Sequence, residues 1–254
     1  MLVFIVPLQS PEVSTDWAHV CKLAQRTISS ILNQIHPEFR LLLVCNKPPA
    51  DLPTHPALSI LRRDFPIPDS SDRENRMIDK WKKVRIGMVA ARAFAPCHIM
   101  AVDADDLVSR NLAGFCAANP NGRGWIFDRG WMHDENSRWV FRRRSNFDAI
   151  CGTSNILRMD LADLPTTEEG SDDDNVLLRF GHTQIRAGIA ARGTPLAELP
   201  FYGAMYILHT GENYSGFSLR GWRSKKIMLQ KLLNYRPVTA ALRREFGLEP
   251  LSSR

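Results

Sequence analysis

Long apolar runs are missing from this chain of 254 residues, and that absence narrows the options first. No stretch approaches the roughly 18 to 20 apolar residues that a spanning helix needs, so a soluble or peripheral protein is expected. The opening MLVFIVPLQSPEV carries no basic residue before its apolar run and no small-residue cleavage pattern; it is expected to be a buried strand rather than a secretory signal. Paired cysteine spacing is missing too. Cys21, Cys45, Cys97, Cys116 and Cys151 form no CxxC and no zinc-like pattern, and five is an odd number. Reduced thiols in a cytoplasmic protein are the simplest account. No Pro/Gly/Ser-rich linker, repeat or low-complexity block divides the chain, and 44% hydrophobic content suffices for the core of one large α/β domain.

Acidic residues become scarce towards the end. After Ser218, LRGWRSKKIMLQKLLNYRPVTAALRREFG carries Arg220, Arg223, Lys225, Lys226, Lys231, Arg236, Arg243 and Arg244 against Glu245 alone. Such a basic, partly amphipathic tail suggests an anionic membrane surface at the inner face, or a phosphorylated substrate. A plain solvated helix face explains the same charges.

Apolar runs at 2–8, 39–46 and 98–104 alternate with helix-length segments at 16–35 and 79–95, which predicts a mainly parallel sheet covered by helices. In the first helix Val20, Leu23, Ala24, Ile28, Ile31 and Leu32 recur at threes and fours, Asp16 can cap the start, and His36-Pro37 ends it. Farther on, WIFDRG and RWVFRRR flank the polar MHDENS, as in a hairpin, so an antiparallel addition is expected in the second half. CGTSNILRM and AMYILHTG read as further strands, and DNVLLRFGHTQIRAGIAARG as containing helix.

IMAVDADDLVS concentrates the chemistry. Asp103, Asp105 and Asp106 follow an apolar strand, at the carboxyl edge where open α/β sheets place ligands. Continued strand geometry would turn Asp103 and Asp105 to one side and Asp106 to the other. Two adjacent carboxylates repel unless a cation intervenes, and hard oxygen ligands suit Mg²⁺ or Mn²⁺ with substrate phosphates completing the shell. A helix starting near Leu107, capped by Asp105 or Asp106, would explain one acid and not three.

Through LVFIVPLQS with Pro7, TISSILNQIHPEFRLLLVCN and above all VDADDLVS, roughly residues 1–215 resemble the GT-A fold nucleotide-sugar glycosyltransferases, particularly family 2. The resemblance implies a GT-A-like mixed sheet and transfer of a sugar from a nucleotide-sugar donor to an acceptor hydroxyl, with inversion, on a carbohydrate or lipid-linked acceptor. It implies no nucleic-acid partner. The domain would span 1–218, with a donor-binding half at 1–110 and an acceptor half at 111–218, and 219–254 would be a basic helical extension. Asp103 would face the nucleotide or metal, and Asp105 would ligate the metal. Asp106 would cap or buttress.

Other residues fall in with that implication. Pro7, Gln9 and Asn46 lie at donor positions, although Leu8, Gln9 and Ser10, and Cys45 to Pro48, depart from the family's usual residues there. Lys80 and Lys83 can share a helix face and hold phosphates, or form an ordinary basic surface. Asp172 and Asp173, before NVLLR, match the family's acidic pair; Asp173 is favoured as general base, which a neutral alcohol acceptor requires, while a helix-dipole role is the plain reading. His209 resembles a late metal ligand, Ser154 and Asn155 an acceptor-binding segment, and Trp125, Trp131 and Trp139 could line a cleft or pack a hairpin. Metal-dependent nucleotidyl transfer and an inactive binding or scaffold protein of the same fold are the alternatives.

Overall fold

The computed structural model describes residues 1–66, 73–135, 137–170, 176–208, 210 and 233–248. Its centre is a strand, β1 (Leu2–Pro7), buried on both faces. Leu2, Phe4 and Val6 enter one apolar layer while Val3 and Ile5 enter the other, which is why LVFIVP shows no polar alternation. β2 (Phe39–Cys45) and β3 (Leu58–Arg62) extend the sheet in parallel on one side, and β4 (Cys97–Ala101) joins β1 in parallel on the other.

Two helices make these parallel crossovers. α1 (Trp17–Leu32) buries Val20, Leu23, Ala24, Ile28 and Ile31, the stripe visible in the sequence, and the Asp16 side chain accepts the His19 N–H at 3.0 Å as its N-cap. α2 (Arg73–Ala91) covers the opposite face through Val84, Met88 and Ala91. It sits close because residue 87 is glycine: a Cβ there would stand 2.4 Å from Ile5 Cγ2.

Beyond β4 the sheet changes direction. β5 (Leu107–Val108) leaves it, α3 (Leu112–Ala118) follows, and β6 (Gly124–Ile126) returns. β9 (Asn155–Met159) then inserts antiparallel between β4 and β6, and β10 (Ala197–Glu198) pairs in parallel with β6 after α4 (Val176–Ala190). The order is β10-β6-β9-β4-β1-β2-β3. The fold is thus α/β with a mixed, mainly parallel sheet flanked by helices, as the alternation of strands and helices predicts.

The antiparallel part forms a second sheet, in the order β12-β8-β7-β11-β5. Its hairpin differs from the expected one. β7 (Gly130–Asp134) pairs with β8 (Trp139–Arg143), so Met132, His133 and Asp134 belong to a strand, whereas Trp125 and Ile126 belong to β6 in the other sheet. The polar look of MHD was misleading because His133 is buried with its Nδ1 3.2 Å from the Trp139 carbonyl. β11 (Ala204–Leu208) joins the layers: Ala204, Tyr206 and Leu208 face the main core, and Met205 and Ile207 face a smaller one.

Residues 233–248, within the segment expected as a basic extension, contribute β12 (Tyr235–Pro237) and α5 (Ala240–Phe246) to this second sheet. Phe246 is fully buried against Leu107, Val140, Met205 and Ile207. Residues 219–232, with most of the basic run, lie outside the described residues. Among the described residues no helix is long and apolar enough to cross a membrane.

Candidate functional site

β1, β2 and β4 run in the same direction, so Pro7, Asn46 and the acidic run after Ala101 reach one edge of the main sheet. The acidic run is not extended. Asp106 N–H donates to the Asp103 carbonyl at 3.0 Å, which closes a turn over residues 103–106.

Asp103 is held from the main sheet. Its carboxylate pairs with Lys80 on α2, and its N–H donates to Thr153 Oγ1 at 2.9 Å. Residue 152 must be small here: a Cβ on Gly152 would lie 2.3 Å from Asp103 Oδ2 and 3.2 Å from Lys80 Nζ. The Asp103 carboxylate and its neighbour charges hold the Lys80 ammonium above its ordinary pKa against the opposing effect of burial.

Asp105 is held from the second sheet, and Asp106 from both sides. The Thr210 hydroxyl donates to Asp105 Oδ2 at 3.0 Å. Asp106 is fully buried, accepting the Ile207 N–H at 3.3 Å and the Cys151 thiol at 3.3 Å. It caps no helix, because the residues after it are the short strand β5; it buttresses the turn against β11. Burial, then the charge of Asp103, pushes the Asp105 carboxyl up to about 6. Burial and the adjoining Asp105 and Asp103 charges push Asp106 higher than an ordinary carboxylate.

The other sequence candidates divide into three groups. Lys83 is on the predicted helix but only 1% exposed; its ammonium bonds Asp79 at 2.7 Å and sits 4.9 Å from the Phe65 ring centroid. Lys80 and Lys83 therefore have separate carboxylate partners. Asn46 donates to the Phe65 carbonyl at 3.0 Å, and its buried Oδ1 has no hydrogen-bond partner among the described residues. Gln9 follows β1 at the same edge. Ser154 and Asn155 are buried at the start of β9, and Ser154 Oγ and Asn155 Oδ1 likewise have no partner among the described residues. Asp172, Asp173 and His209 lie outside the described residues. The aromatics do not form one group: Trp125 stacks edge-on with Phe115, Trp131 packs on Tyr202, and Trp139 is exposed.

No protein-family model matches the chain, and no curated protein matches it. Solved structures do match. Among them is the 2-C-methyl-D-erythritol 4-phosphate cytidylyltransferase of Francisella tularensis, at 9% identity, covering 85% of this chain and 94% of that one with a TM-score of 0.44.

The residues present fit a hard divalent cation of the kind that substrate completes. Asp103 and Asp105 offer oxygen ligands on one turn, Lys80 compensates Asp103, and Asp105 accepts the Thr210 hydroxyl and a backbone N–H. Gly152 keeps Asp103 Oδ2 clear of a side chain. Among the described residues no group of three or more His, Cys, Asp or Glu side chains is arranged to hold a metal ion by itself. That donor set suits Mg²⁺ or Mn²⁺, which commonly take one or two carboxylates and leave positions to phosphates and water. Sequence reasoning missed Gly152, Cys151 and Thr210 as parts of the site. The only local signal was their neighbourhood, in CGTSN and YILHT.

Proposed function

We propose that the chain is a metal-dependent transferase that moves a sugar from a nucleotide-sugar donor to an acceptor hydroxyl. The supporting observation is the strand-edge turn in which Asp103, paired with Lys80, and Asp105, bonded by Thr210, approach each other where β1, β2 and β4 end. When bound, Mg²⁺ or Mn²⁺ at Asp105 and Asp103 would neutralise charge developing on the nucleoside diphosphate leaving group.

The chain's own residues supply the rest. Lys80 fixes the orientation of Asp103 and adds a positive charge beside the donor phosphates. Gln9 and Asn46 lie at the same edge for donor contacts, with the Asn46 Oδ1 available as an acceptor among the described groups. Ser154 Oγ and Asn155 Oδ1 are buried polar atoms suited to sugar or acceptor hydroxyls. Lys83, held by Asp79, would act on the phosphates only through its field. Asp173, with Asp172 beside it, takes the acceptor proton, and an inverting outcome follows from the GT-A resemblance. His209 is proposed as a further metal ligand. The division into donor half, acceptor half and basic extension, and contact of that extension with an anionic membrane, belong to the same proposal, with a carbohydrate or lipid-linked acceptor.

Nucleotidyl transfer is the second reading, favoured by the Lys80 ammonium inside the acidic cluster, where it could offset charge on an attacked α-phosphoryl group. A panel of nucleotide sugars and nucleoside triphosphates, each with Mn²⁺, separates the two. Release of nucleoside diphosphate from a nucleotide sugar supports sugar transfer. Release of pyrophosphate from a triphosphate supports the rival. If neither product forms and neither ligand class shifts thermal stability, a binding or scaffold role replaces both.

A further inference from the structure

We propose that His19 is a positioning residue for the acidic turn, holding Thr210 so that its hydroxyl fixes the Asp105 carboxylate for a divalent cation. This rests on the cation reading above and adds an element far from the turn in sequence. His19 lies in the first turn of α1, where its own N–H is taken by the Asp16 cap at 3.0 Å. Its ring is half-buried and reaches the Thr210 carbonyl, with Nε2 3.0 Å from the oxygen.

A carbonyl oxygen only accepts, so Nε2 must carry the hydrogen in this contact. The Thr210 main chain is thereby tied to α1 while its side chain donates to Asp105 Oδ2 at 3.0 Å. Three residues upstream, the Ile207 N–H holds Asp106 at 3.3 Å. The turn is thus fastened to the end of β11 at two points, and His19 fastens the second of them. Glu135, just past β7, stands 3.8 Å from Nε2, beyond hydrogen-bond length, and is paired with Arg26 at 3.4 Å. It reinforces the Nε2–H form by charge without competing for the contact.

His19 touches no reacting atom, so its effect belongs to ligand orientation. Partners that orient a metal ligand typically change metal affinity by about 10- to 100-fold when removed. The test uses Mn²⁺ alone, titrated into the full chain and followed by electron paramagnetic resonance. His19→Ala is expected to weaken Mn²⁺ binding by about 10-fold or more. His19→Gln, whose amide N–H reaches to a similar length, should restore it to within about 3-fold of the unsubstituted chain. His19→Phe retains ring bulk without a donor and should behave like His19→Ala, which separates donation from packing should the alanine variant fold poorly.

Unchanged Mn²⁺ affinity in folded His19→Phe overturns the positioning role alone. An unsubstituted chain that binds no Mn²⁺ overturns the cation reading and this role with it. Long-range ¹⁵N–¹H spectra of the metal-free chain provide a second readout: the Nε2–H tautomer is expected at His19, and an Nδ1–H tautomer overturns the proposed contact.

Discussion

The two sheets meet the same acidic turn but are built on different principles. Strands β1, β2, β3 and β4 pair in parallel, and the three inner ones, β1, β2 and β4, are largely buried apolar runs, while β3 forms the exposed edge. The five-stranded sheet collects short pieces from 107–108, 130–143, 204–208 and 235–237. The division continues into the site. Asp103 is fixed from the main-sheet side by Lys80 and Thr153 and Asp105 by Thr210 past the end of β11, while Asp106 is held from both sides, by Cys151 and by Ile207. A seam between a locally specified sheet and one assembled from distant segments therefore crosses the candidate site.

The largest expected effect tests whether the seam also divides stability. Phe246 fills the small core behind β11, far along the chain from the strands it supports. Phe246→Ala removes a fully buried ring and should cost about 3–5 kcal/mol. Because β11 belongs to both apolar layers, chemical denaturation should remain a single transition at lower denaturant. Two separated transitions would show that the second sheet opens independently of the first.

That contrast also explains what could be read in the sequence. The alternation of residues 1–104 and the stripe of α1 are set by local periodicity, and the structure has both. The acidic turn was legible because three carboxylates after an apolar strand are rare without a purpose. The hairpin was misplaced because His133 and Asp134 sit in a strand despite their polarity, and β5, β10 and β12 are too short to leave a pattern. Gly152 and Thr210 are 49 and 107 residues from Asp103, and their roles arise only when β9 and β11 are laid against the turn.

On the main-sheet side, Gly152→Ala would force a methyl group against Asp103 Oδ2 and Lys80 Nζ. Asp103 has little room to yield, since its N–H is held by Thr153 and its carboxylate by Lys80. A stability loss of about 1–3 kcal/mol is expected, with weaker Mn²⁺ binding. Calorimetric titration showing normal Mn²⁺ affinity in this variant would remove Asp103 from the cation site while leaving Asp105 in it.

On the other side, Asp105→Asn should stabilise the metal-free chain, and only at the higher pH. The folded carboxyl titrates at about 6 against 3.8 for an unperturbed group. The folded state therefore binds the proton more tightly, and this group's contribution to stability is present at low pH and lost as pH rises to about 6. Removing the charge should gain on the order of 3 kcal/mol near neutral pH and less than about 1 kcal/mol near pH 4. Denaturant unfolding in chelator at both pH values measures the difference, and an equal effect at both would disprove a disfavoured charge at Asp105.

The smallest effect belongs to the rim of the main sheet, where Arg63 after β3 grips Glu168 through Nε and Nη2 at 2.7 to 3.3 Å. The geometry is bidentate, yet the two side chains are 44% and 39% exposed, so solvent screens the pair. Arg63→Ala should cost less than about 1 kcal/mol and lose that effect in high salt. The segment that Glu168 anchors is also held from below, by Arg85 at the Thr167 carbonyl and by Arg92 at the carbonyls of Leu161 and Leu164. A loss several times larger on Arg63→Ala would mean that these inner contacts depend on the rim pair, and that the path from β9 towards the acidic residues at 172–174 is organised from the surface inward rather than from the sheet outward.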